Sequence, residues 1–161
     1  MPAEAFPIIA GPGDIYSGGA AAFRVQQDCK VISISLLLKG YSDNTIQQFH
    51  INLFNNVVST LGVNQPGAEI AVFDTPPPND GSAMEFLFKL SAPADLKAGQ
   101  IYWVMIYGKL LPTNMSNGFT VSWLQGSSSA NFDYIGSSRL QLTQFTPTPS
   151  IIPAFSLILI V

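Results

Sequence analysis

The stretch Leu96-Lys-Ala-Gly-Gln-Ile-Tyr-Trp-Val-Met-Ile-Tyr-Gly108 decides how the rest of the chain is read. A polar turn around Gly99 feeds an unbroken apolar and aromatic run, Ile101 to Tyr107, and Gly108 ends it. A helix is the rival for any short apolar run. One bounded by glycine and rich in Tyr, Trp, Ile and Val favours a strand. Successive side chains of a strand point to opposite faces. Ile101, Trp103, Met105 and Tyr107 therefore share one face, and Tyr102, Val104 and Ile106 the other. Neither face suits water, so the strand needs cover on both sides. A sandwich of two sheets, plus a loop or a partner chain, supplies it.

Working outward, the chain offers further strands of the same kind. Ala21 to Gln26, Val31 to Lys39, Ile46 to Asn55, Ala68 to Phe73, Ala83 to Leu90, Phe119 to Leu124, Leu140 to Phe145 and Ala154 to Val161 are all short and apolar on at least one face. In Val31 to Lys39 the period of two puts Ile32, Ile34, Leu36 and Leu38 together. In Ile46 to Asn55 it puts Phe49, Ile51 and Leu53 opposite His50 and Asn52. The connection from Asn56 to Gly67 closes on Gln-Pro-Gly, a turn sequence. Pro76-Pro77-Pro78 makes a stiff loop, and Gly126 to Ser138 is the most loop-like stretch. Ala154 to Val161, apolar on both faces, is expected inside a sheet, since such a strand left free would template aggregation. With no amphipathic helix of useful length, the pattern predicts an all-β, jelly-roll-like antiparallel β-sandwich of about eight or nine strands. Residues 20–161 form its single domain. Residues 1–19, broken by Pro2, Pro7, Pro12 and four glycines but carrying Phe6, Ile8, Ile9, Ile15 and Tyr16, are expected as an extended N-terminal arm available for assembly.

Composition limits the function. Of 161 residues, 47% are hydrophobic and only 11% charged, where an ordinary soluble domain carries roughly a quarter charged residues. A surface built on Ser, Thr, Asn and Gln has little charge repulsion to keep copies apart. The net charge of -3 and the seven scattered basic residues argue against nucleic acid. No apolar run reaches the ~20 residues of a membrane-spanning helix. The first residues show no basic region followed by an apolar one, so the expectation is either synthesis in a cytoplasm or a secretory signal already removed.

The chemistry of catalysis is not visible. The chain has one Cys, Cys29, and one His, His50. Cys29 reads as a small residue at a strand start and His50 as an outward-facing surface residue, so neither nucleophilic catalysis nor a histidine metal site is expected. The acidic residues are dispersed, Asp74 and Asp80 being the nearest to a pair. The expectation is a non-enzymatic protein with no cofactor and no metal.

The order of several motifs resembles a known family. Phe23-Arg-Val25, Val31-Ile-Ser-Ile-Ser-Leu36, Ile51-Asn-Leu-Phe54 followed by Gln65-Pro-Gly67, Leu96-Lys-Ala-Gly-Gln-Ile-Tyr-Trp-Val104 and Ala154-Phe-Ser-Leu157 together look like the choice-of-anchor type of jelly-roll domain. Domains of that type occur in bacterial surface and secreted proteins and in phage particle proteins. The resemblance covers roughly residues 20–161 and is mainly structural. With the low charge, the apolar arm, the aromatic loop residues and the absent catalytic chemistry, it leaves two functions. One is a structural protein of a bacteriophage particle, such as a capsid decoration, head-fibre or tail accessory subunit, made in the host cytoplasm and ending in the virion. Its partners would be other virion proteins or itself, as a homo-oligomer, with a trimer ahead of a dimer because particle lattices and fibres offer threefold sites. The other is a carbohydrate-binding module of a bacterial surface or secreted protein, in which Tyr41, Phe132, Asp133 and Tyr134 would form a ligand loop for glycans.

Overall fold

A computed structural model of the protein describes residues 2–12, 16–42, 49–111, 119–126, 132–141 and 144–161. Among them lie twelve strands: β1 (Glu4–Pro12), β2 (Ser17–Arg24), β3 (Cys29–Lys39), β4 (Phe49–Val58), β5 (Asn64–Asp74), β6 (Met84–Leu96), β7 (Ile101–Gly108), β8 (Leu110–Leu111), β9 (Phe119–Leu124), β10 (Asp133–Gln141), β11 (Gln144–Pro147) and β12 (Phe155–Ile160). The hydrogen-bonded path runs β11-β10-β2-β7-β4-β5-β6-β3-β9-β1-β8, with β12 on β3. One joint in it, β5 to β6, and one further pairing outside it, β1 to β2, are thin among the described residues. β5 meets β6 at Phe73↔Leu90 and Asp74↔Lys89, and β1 meets β2 at Ile9↔Ser17. At these joints the ladder folds into two facing layers, β11-β10-β2-β7-β4-β5 and β6-β3-β9-β1-β8 with β12. The result is the jelly-roll-like antiparallel sandwich expected, with a short parallel contact between β1 and β8.

The main core lies between the layers. Phe23, Leu53, Val104 and Ile106 come from the first layer and Phe6, Ile8, Leu36, Phe88, Trp123 and Phe155 from the second. Aromatic rings join them: Phe6 to Trp123 at 5.9 Å, Phe23 to Phe132 at 5.6 Å and Phe132 to Phe155 at 4.9 Å, separations at which such pairs attract beyond their area burial. The strand β7 sits in the middle of the first layer, between β2 and β4. Its inward face is Tyr102, Val104 and Ile106. Its outward face carries Trp103 and Met105 into a second apolar cluster with Ala20, Ala22, Phe54 and Leu140, against which Phe145 of β11 packs. The cover needed on both faces of this strand is thus supplied within the chain.

Several expectations change. Residues 4–12 are not an arm but a strand of the second layer, paired with β9 from Glu4↔Leu124 to Ala10↔Phe119 and carrying Phe6, Ile8 and Ala10 at 0% exposure. The glycines that spoke against a strand permit close approach. A Cβ at Gly19 would collide with the Phe6 ring, and one at Gly108 with the backbone carbonyl of Ile9. Much of the supposed loop from 126 to 138 is the start of β10, which pairs with β2 from Asp133↔Arg24 onward; residues 127–131 lie outside the described residues. The Asn56 to Gly67 connection shortens to a turn, because β4 and β5 extend into it. In β3 an irregularity between Val31 and Ser33 shifts the alternation, so Val31 rather than Ile32 is buried with Ile34, Leu36 and Leu38. β12 takes the edge of β3 from Lys30 to Leu36, where β9 has left it. Among the described residues it pairs with β3 alone, so it is not inside a sheet as expected, and its outward residues Ile158 and Ile160 remain 42% and 45% exposed.

Candidate interaction surface

The residues singled out from sequence are not brought together. Phe6 and Ile8 are in the core, Ile9 and Tyr16 are half-buried, and Ile15 lies outside the described residues. Of the expected ligand loop, Tyr41 is 1% exposed and Phe132 4%, too deep for a sugar ring to stack on. The Tyr41 hydroxyl donates to the Pro76 carbonyl oxygen at 2.9 Å, and burial pushes its pKa up to about 12. Asp133 is exposed and accepts from Gln26 Nε2. Tyr134 is half-buried, and its hydroxyl donates to the Ile151 carbonyl at 2.9 Å.

The titratable groups are likewise apart. Cys29 opens β3 in one layer and His50 lies on the outward side of β4 in the other. Burial, with the Asp28 carboxylate beside it, raises the Cys29 thiol pKa, which works against a reactive thiolate. Asp80 is held by Ser82, whose hydrogen bonds lower its pKa. Among the described residues no group of three or more His, Cys, Asp and Glu could hold a metal ion.

A polar cluster occupies one end of the outward face of β4 and β7. The His50 ring stacks on Tyr107 with centroids 5.0 Å apart. Asn52 Nδ2 donates to Glu69 Oε2 at 2.7 Å and to the Tyr107 hydroxyl at 3.3 Å. Desolvation, reinforced by Lys109 and opposed by Glu69, lowers the His50 pKa below 6.5. The sign follows from linkage. The unfolded chain binds the proton more readily, so the neutral His50 contributes stability that is whole above 6.5 and lost as pH falls below it. Asp28 is lowered by the Ala98 amide and by Lys97, and Asp95 by Lys30. Their contributions go only as pH falls below the ordinary carboxylate value. Urea midpoints measured from pH 7.5 to 5 should therefore decline on the acid side, and His50→Gln should flatten that decline. An unchanged slope in the variant would show that His50 does not carry it.

At the other end of this face is an apolar groove of about 310 Å³, floored by Ala22 and walled by Trp103, Tyr134, Ile135, Val63 and Pro147. Much of its polar lining is already engaged. Trp103 Nε1 donates to Asn56 Oδ1 at 2.9 Å, and Asn56 Nδ2 to Asn64 Oδ1 at 2.9 Å. Ser137 Oγ bonds to the Thr148 and Ile151 carbonyls. Beside the groove the turn between β4 and β5 projects Leu61, 88% exposed, with Val58 at 59% and Val63 at 38%. That turn is fixed by Ser59 N to Val63 O and Gly62 N to Ser59 O. Ile135, across the groove, is 36% exposed. None of these four residues was selected from the sequence. For Val58, Leu61 and Val63 the available signal was their apolar character within a run, Asn55 to Ala68, that holds no charged residue.

Compared with models of known protein families the chain matches none, and no curated protein matches it in sequence.

Proposed function

We propose that the protein is a non-enzymatic structural subunit of a bacteriophage particle, a capsid decoration, head-fibre or tail accessory component, that works by protein–protein contact with copies of itself and with other virion proteins. The observation that carries this reading is unshielded apolar surface on a chain with very little charge. Leu61, Val58 and Val63 cluster at one turn, and Ile158, Ile160 and Val161 stand at 42%, 45% and 91% exposure at the end of β12. Scattered single apolar residues on a surface are ordinary, whereas clustered ones mark contacts with other proteins. The resemblance to choice-of-anchor jelly rolls supplies the setting, since domains of that type occur in phage particles.

The carbohydrate-binding reading finds less support. Two of its three expected stacking platforms, Tyr41 and Phe132, are buried, and the groove beside Trp103 has spent much of its hydrogen-bonding capacity on the protein. A glycan array probed with the chain should be blank, and particles assembled with it should carry it in stoichiometric amounts. A defined glycan hit that disappears in Tyr134→Ala would transfer the protein to the carbohydrate class.

A further inference from the structure

We infer that two copies of the chain associate about a two-fold axis through the outward face of the first layer, each seating the Leu61 turn in the groove of the other. This rests on the assembly reading above and names the surface and partner it uses. The argument begins with what the groove can accept. The Trp103 indole N–H, the Asn56 amide and the Ser137 and Tyr134 hydroxyls already bond within the chain. An occupant rich in hydroxyls would find few of these groups free, whereas an aliphatic side chain needs none. The groove therefore selects an apolar, hydrogen-bond-poor group.

The same face presents one. Leu61 is 88% exposed on a turn held rigid by two backbone hydrogen bonds and by Val63 N to Ser59 Oγ, so little freedom is lost on docking. Projection and groove adjoin, because Val63 and Asn64, directly after the turn, also line the groove. A two-fold operation on a patch holding both makes the two insertions at once, the self-complementary arrangement of an isologous interface. Charge allows it: self-pairing sets each residue near its own kind, which would repel if charged, and the run from Asn55 to Ala68 has no charged residue. Val58 and Ile135, 59% and 36% exposed, widen the apolar patch around the two seats. A two-fold pair also differs from the threefold assembly expected from particle symmetry.

Two substitutions test this from opposite sides of the contact. Leu61→Asp alters an exposed turn residue. Gly136→Phe fills the groove: a Cβ at Gly136 meets nothing within 4 Å, so the fold should accept the side chain. Light scattering of the unmodified chain should give twice 17.3 kDa, and each variant should weaken association roughly 100-fold, two apolar seats being lost together. Melting temperatures measured below the association range should match, and a mixture of the two variants should associate more tightly than either variant alone, since the Leu61 turn of the Gly136→Phe chain still meets the open groove of the Leu61→Asp chain. An unmodified chain that stays at 17.3 kDa while joining particles would overturn the pairing and leave the assembly reading standing. A chain that oligomerises undiminished in both variants would likewise place the contact elsewhere.

Discussion

A chain lacking residues 2–12 is expected not to fold. β1 fills the lane beside β9 and delivers Phe6, Ile8 and Ala10 to the main core at 0% exposure. Truncating a single buried Phe or Ile to Ala typically costs about 2–5 kcal/mol, and a whole domain is stable by only about 5–15 kcal/mol. Losing both side chains, with the backbone hydrogen bonds that β1 gives β9, consumes most of that margin. The remaining chain would also expose Trp123, which contacts the Phe6 ring. Far-UV circular dichroism without a cooperative transition, together with strong binding of a hydrophobic dye, is the expected outcome. A truncated chain melting near the full-length midpoint would instead give residues 1–19 the role of a detachable arm.

Trp123→Ala should be the most damaging single substitution. The indole is 0% exposed, packs against Phe6 and Phe155, and donates from Nε1 to the Ala154 carbonyl at 2.9 Å. That hydrogen bond ties the end of β9 to the start of β12, where the two strands succeed one another along β3. The cavity accounts for about 3–5 kcal/mol, and loss of the Nε1 hydrogen bond adds about 0.5–1.5 kcal/mol, the Ala154 carbonyl keeping the Leu37 amide as a donor. Urea unfolding should show a loss in this range, with Trp123→Phe intermediate because it keeps a ring but not the N–H. A loss under about 1 kcal/mol in the Ala variant would mean that the two layers do not meet at this residue.

How much of this was legible in sequence follows from what local pattern can encode. The run from Ile101 to Tyr107 declared a strand with two apolar faces, and it is the middle strand of the first layer. What pattern could not show was that its second face, with Trp103, is covered by Leu140 and Phe145 from strands far along the chain. β1 was missed because Pro7 and Pro12 argue against a ladder and glycines against a strand. Pro7 nonetheless pairs with Ser122, and Gly19 is required by the Phe6 ring lying over it. Both facts are tertiary and leave no local trace. Phe132 and Tyr134 read as loop aromatics because Ser and Gly surround them. Gly136, Ser137 and Ser138 belong instead to a strand, β10, packed closely against the alanines of β2. The Leu61 turn was readable, as apolar residues in a turn sequence are unexpected, but the adjoining groove exists only once β10 and β11 are in place.

The central claim is that this sandwich acts by burying its apolar surface against protein. Sedimentation velocity tests it most directly, run on the unmodified chain over a wide concentration range, alone and with virus-like particles. The expected result is a mass above 17.3 kDa that rises with concentration, or migration with the particles. A chain that sediments at 17.3 kDa at every concentration and stays behind when the particles pellet would contradict it.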